Sequence, residues 1–141
     1  MQLCENTESR VFFHKMIGDY YRYAAESCMY PSTDFKSQCE KFVESSKVFY
    51  LEGLKMAASD LDACNPIRLG IVLNLSVFYK EISQDLPRAI LITEHALKNA
   101  VEKIDDLGFT PFKDTQTLIE IMNNNLSFWK EELEQKQEIN N

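Results

Sequence analysis

Apolar residues recur at three- and four-residue spacing along nearly the whole chain, and the runs stop where proline or glycine intervenes. Pro31, Asn65-Pro66, Pro87 and the stretch from Gly108 to Pro111 mark those stops. With four glycines and four prolines in 141 residues, the chain has few places to turn. It is therefore expected to be all-α, with long antiparallel helices joined by short connections. The spacing predicts helices over residues 9–30, 34–58, 65–83 and 86–106, and a fifth from Asp114 or Thr115 into the tail. Asn6 or Thr7 is the expected cap of the first, Ser32 or Asp34 of the second, and Asn65 of the third, with Pro66 at its first helical position. One helical domain over residues 9–130 is expected, after a lead-in of residues 1–8 and before an acidic tail of residues 131–141.

A net charge of −7 argues against a nucleic-acid partner, which calls for a basic face. No apolar run is long enough to span a bilayer and no signal-peptide pattern opens the chain, so no membrane partner and a cytoplasmic location are expected. Cys4, Cys28, Cys39 and Cys64 are scattered without a CxxC pair, and His14 and His95 stand alone. That pattern predicts reduced thiols, no metal and no cofactor. With no nucleophile–base pair and no glycine-rich phosphate loop, an enzyme is not expected.

The segment Gly18-Asp19-Tyr20-Tyr21-Arg22-Tyr23 places an acid, an arginine and three phenols in the middle of a helical run. Lys15, Asp19, Arg22 and Tyr23 fall at i, i+4, i+7 and i+8, on one helical face. Asp19 between two cations can hold both in place, which leaves a guanidinium, an ammonium and a phenol for an anion such as phosphate. The plainer reading of the same stripe is an intrahelical ion-pair ladder over an aromatic core. Phe13, Ile17, Tyr20 and Ala24 lie on another arc and are expected to supply core contacts. Gly18, Gly53 and Gly70 sit inside predicted helices, where each costs about 1 kcal/mol relative to alanine, so each is expected at a tight packing contact or a close backbone approach.

Two segments, ESRVFFHKMIGDYYRYAAE (residues 8–26) and NPIRLGIVLNLSVFYKEI (residues 65–82), resemble family-defining helices of the 14-3-3 proteins, in the same order. FKDTQTLIEIMNNNLSFW (residues 112–129) is similar to that family's last helix, more loosely. The resemblance implies an all-helical adaptor, the C-terminal half of a helical cup, that binds phosphoserine and phosphothreonine peptides without catalysis. It implies phosphate ligands in Lys15, Arg22 and Tyr23, and peptide-backbone ligands in Asn74 and Asn125. The groove wall would be Gly70, Leu73, Val77, Leu118, Ile121 and Trp129, with Glu81 at the far side. The spacing agrees: Gly70, Leu73, Asn74, Val77 and Glu81 share one helical face, and Asn125 and Trp129 are four apart. A helical scaffold for unphosphorylated segments is the alternative, but it predicts an internal repeat that is not seen.

The matches run through the last five of the family's nine helices. The others normally form the dimer interface and supply a further lysine and arginine to the phosphate pocket. The resemblance thus implies weaker phosphate affinity and an oligomeric state left open. It also implies loss of bivalent capture, often about 10²–10⁴-fold in avidity, and an uncovered apolar patch on the first helix. Smaller departures from the family pattern are a longer span between AAE and NPIRLG, Thr117 in place of an apolar groove residue, and Asn123-Asn124 in place of an Arg-Asp pair.

Overall fold

A computed structural model describes residues 2–28, 36–108 and 110–140. Five helices occupy them: α1 (Gln2–Cys28), α2 (Lys36–Asp60), α3 (Pro66–Glu81), α4 (Leu86–Leu107) and α5 (Lys113–Asn140). Among the described residues there is no strand, and no helix is long and apolar enough to cross a membrane.

The breakers act where the sequence places them. Asn65 caps α3, its Oδ1 accepting from the backbone N–H of Ile67 at 2.8 Å and of Arg68 at 3.3 Å, with Pro66 opening the helix. Asp85 caps α4 by accepting from Arg88 N–H at 3.2 Å. Gly108 closes that helix in the left-handed region, φ 68°, and its N–H returns to Ile104 O at 3.1 Å.

Helix α1 starts earlier than expected, and α5 continues into the tail. Helix α1 begins at Gln2, so Asn6 and Thr7 lie inside it instead of capping it. No glycine or proline precedes Gly18, so nothing stops the helix from propagating toward the N-terminus. Thr7 is buried and its hydroxyl donates to Asp60 Oδ2 at 3.0 Å, fastening α1 to the end of α2. Helix α5 runs through the expected tail to Asn140, supported on its surface by the i,i+4 pair Glu132–Lys136 at 3.6 Å. Asp114 lies in its first turn, and Thr115 donates to Cys64 O at 2.9 Å instead of capping. The expected caps Ser32 and Asp34 fall outside the described residues.

Contacts between distant residues fix the arrangement. Thr7 meets Asp60, and Ser46 donates to Gly18 O at 2.8 Å, so α1 and α2 are antiparallel. Asn65 donates to Glu8 at 3.0 Å and Asn74 to Asp19 at 2.9 Å, so α3 runs beside α1 in the same sense. Lys130 pairs with Glu94 at 2.6 Å, setting α5 against α4. Helix α3 is the central element and touches the other four. Its Ile71, Leu75 and Phe78 enter a core shared with Val11, Tyr50 and Trp129, while Leu69 and Val72 enter a second with Leu97, Ala100 and Met122. Each such large apolar side chain contributes about 1.5–3 kcal/mol by leaving water.

The core face of α1 is not the one the periodicity suggested. Thr7, Val11, Gly18 and Ala25 are the buried positions, and at Gly18 the Tyr50 ring of α2 packs too close for a larger residue. Phe13 and Tyr20, expected in the core, lie on another side of the helix and are 54% and 65% exposed. Together with Phe12 and Tyr23 they form the exposed aromatic surface expected on this helix.

Candidate functional site

Lys15, Asp19 and Arg22 project from α1 toward α2 and α3. The Asp19 carboxylate is the hub: Lys15 Nζ lies 3.3 Å from Oδ2 and Arg22 NH2 lies 3.6 Å from Oδ1. Two groups from other helices join it. The Tyr50 hydroxyl, from α2, donates to Oδ1, and Asn74 Nδ2, from α3, donates to the same carboxylate at 2.9 and 3.1 Å. Tyr50 also accepts from Arg22 Nε at 3.1 Å. The arginine is thus fixed from two sides, with only 11% of its side chain exposed. Gly18 makes this possible: the Tyr50 ring crosses α1 at that residue, and a Cβ there would lie 2.8 Å from ring carbons.

Burial disfavours the charge on Arg22, but the Tyr50 hydrogen bond and the carboxylates of Asp19 and Glu26 outweigh it, so its pKa is raised. Tyr50 is pushed well above the usual phenol range by burial and by its hydrogen bond to Asp19, which Arg22 only partly offsets. The phenol therefore stays protonated and keeps donating to the carboxylate.

Glu26 closes the last side of the guanidinium, with Oε1 3.3 Å from NH1. The cluster of Lys15, Arg22, Asp19 and Glu26 is consequently neutral as a set. Asp19 is held by four partners, whereas Glu26, its side chain 42% exposed, is held by one described ion pair. Of the two carboxylates on Arg22, Glu26 is thus the one with fewer partners and more access to water, and the one more readily displaced. The Arg22 guanidinium also stacks over the Tyr23 ring, 5.0 Å from its centroid, and Tyr23 itself is half exposed.

Beside the cluster a cleft of about 560 Å³ opens between α1, α3 and the start of α5. Lys15, Gly70, Leu73, Asn74, Thr117 and Leu118 line it. A Cβ on Gly70 would find its nearest atom 3.9 Å away, on Lys15, so this glycine is bare toward the cleft and not toward a neighbouring helix. Five of the residues singled out in the sequence therefore meet around one opening, and Arg22 is joined to them through Asp19.

The others are spread further along. Val77 is half-buried on α3, Ile121 is exposed on α5, and Asn125 is half-buried without a side-chain hydrogen bond among the described residues. Trp129 is a core residue, 7% exposed, packed in the cluster that holds Tyr50 and Phe78. Glu81 sits at the end of α3 near Lys80, Glu132 and Lys136, in a separate polar recess.

The sequence reading did not single out Tyr50 or Glu26. Glu26 was visible as the i+4 neighbour of Arg22. Tyr50 lies 28 residues from Arg22, and nothing local marks it.

A family model described as "14-3-3 protein" matches residues 1–130. 14-3-3 protein 3 of Entamoeba histolytica is 37% identical over 123 residues, which cover 87% of this chain and 49% of that protein. The 14-3-3-like protein GF14 upsilon of Arabidopsis thaliana is 38% identical over 128 residues, 89% of this chain and 45% of the relative. GF14-F of Oryza sativa subsp. japonica is 39% identical over 124 residues, 86% of this chain and 45% of the relative. The chain spans about half the length of the curated relatives it matches.

Proposed function

This chain belongs to the 14-3-3 family, and on that premise we propose that it is an adaptor that binds phosphoserine or phosphothreonine peptides by recognition alone, without catalysis. Arg22 and Lys15 take the phosphate, with the Tyr23 hydroxyl as third ligand. Asn74 and Asn125 take the peptide main chain, and Gly70, Leu73, Val77, Leu118 and Ile121 take the flanking side chains, with Glu81 at the far end and Trp129 in the core. Phosphorylated proteins are the partners, and the cytoplasm, on the family's account, is the place of action.

The observation that carries this reading is the placement of Arg22 by Asp19 and Tyr50 next to a cleft where Gly70 is bare. A fixed guanidinium binds an anion with little loss of side-chain entropy, and each charge-assisted bond contributes about 1.5–3 kcal/mol. The Asn74 amide donates to Asp19, which orients its carbonyl oxygen to accept a peptide N–H.

Titration with a fluorescent phosphoserine peptide and its unphosphorylated twin tests the proposal. Phosphate-dependent binding that falls about tenfold or more in Arg22→Ala and in Lys15→Gln is expected. Equal binding of both peptides overturns it in favour of a helical scaffold, and no binding by a chain with intact helical circular dichroism overturns it outright.

A further inference from the structure

On the opposite side of α3 from the cleft lies a second cavity of about 430 Å³, bounded by α2, α3 and α4. Its walls are apolar: Leu54 from α2, Leu69 and Val72 from α3, and Leu91, Ile92 and Ala96 from α4. The polar groups it contains are Arg68, His95 and Asn99. A volume of this size is typical of small-ligand sites, which combine apolar walls with a few polar groups.

Arg68 gives the cavity a chemical preference. Its side chain is half-buried, and NH1 donates to Leu61 O at 2.8 Å, which anchors the guanidinium at the start of α3. No carboxylate among the described residues pairs with it; Asp62, close in sequence, pairs with Lys103 at 3.8 Å. By contrast the half-buried Lys15 and Arg22 both have carboxylate partners. In a chain of net charge −7, an anchored guanidinium with no carboxylate partner among the described residues, beside an apolar hollow, is suited to accept a carboxylate. His95 adds a donor. Asn99 lies 3.1 Å from its Nε2, and with the amide donating there the ring hydrogen sits on Nδ1.

We propose that this cavity binds a small monocarboxylate with an unbranched apolar tail. The carboxylate sits on Arg68, and the tail lies against Leu54, Leu69, Val72 and Ile92. The site is independent of the phosphopeptide cleft, and its assignment does not rest on that reading.

Decanoate and decanol are the probes, titrated into the full chain by calorimetry and by NMR with methyl-labelled Leu, Val and Ile. Decanoate is expected to bind about tenfold more tightly than decanol, with shifts centred on Leu69, Val72 and Ile92. Arg68→Gln should remove that preference while retaining decanol binding. Ala58→Trp, on an exposed position of the cavity rim, should abolish binding of both without touching the core. Three results overturn the proposal: equal affinity for the two probes, binding that survives Ala58→Trp, or shifts confined to the aromatic face of α1.

Discussion

The hydroxyl of Tyr50 accepts from Arg22 Nε at 3.1 Å while donating to Asp19, so one buried phenol sets the distance between the cation and its counter-ion. The bond joins residues 28 apart in sequence and on different helices. It makes the position of Arg22 a property of the α1–α2 packing and not of α1 alone.

Tyr50→Phe keeps the ring against Gly18 but leaves Arg22 Nε without its acceptor and takes one of four partners from Asp19, which keeps Lys15, Arg22 and Asn74. Unfolding midpoints should show a loss of about 1–3 kcal/mol, and phosphopeptide titration a fall of about three- to tenfold as Arg22 loosens. Unchanged affinity would show that Asp19 alone suffices to place the arginine.

The same phenol carries a pH prediction. Its folded-state pKa lies above the ordinary 10.0, so the native state holds a proton that the unfolded chain releases. Its contribution to stability is complete below about pH 10 and is lost as the pH rises beyond it. In a phenolate-absorbance titration, Tyr50 should not ionise while the fold persists. The wild type and Tyr50→Phe should then give equal absorbance steps before alkaline unfolding, and the wild type should gain one extra phenolate on unfolding.

The glycines inside α1, α2 and α3 differ in what faces them. Alanine at Gly18 would place a methyl 2.8 Å from Tyr50 ring carbons, and at Gly53 one 2.5 Å from Ile71 Cδ1, so each should cost about 1–3 kcal/mol through forced displacement. Alanine at Gly70 meets only an ordinary van der Waals contact with Lys15, 3.9 Å away, and should raise helix stability by about 0.5–1 kcal/mol. On the proposed function it should nonetheless weaken phosphopeptide binding, since the methyl projects where the peptide backbone passes. Thermal melts and peptide titration of the three variants separate these effects.

On the proposed function, Glu26 occupies a side of Arg22 that a phosphate would take. Glu26→Gln removes a competing carboxylate and leaves the cluster with one net positive charge. Phosphopeptide affinity should rise about three- to tenfold at low salt, with the gain shrinking as ionic strength increases. A fall in affinity would mean that Glu26 positions Arg22 instead of competing for it.

The stripe of Lys15, Asp19 and Arg22 was legible because helical spacing puts i, i+4 and i+7 on one face, and the ion pairs at 3.3 and 3.6 Å follow from that spacing. Asn65-Pro66 was legible for the same reason, since a cap is a bond between neighbours in sequence. The inward face of α1 was not. Aromatic residues stand on several sides of that helix, so periodicity alone could not choose between Phe13 with Tyr20 and Val11 with Gly18. The choice was made by α2, whose Tyr50 and Ser46 need a small residue opposite.

By itself, then, the sequence determined the five helices, most of their stops, the charged stripe and the family, all of which rest on local spacing or on matched strings of residues. Only the tertiary structure decided that Tyr50 completes the Arg22 site, that Trp129 is core, and that Arg68 borders an apolar cavity with no carboxylate partner among the described residues. Those facts depend on contacts between residues dozens of positions apart. Hydrophobic burial brings such residues together without specifying the pairs, and close packing against α3 then selects which of them meet.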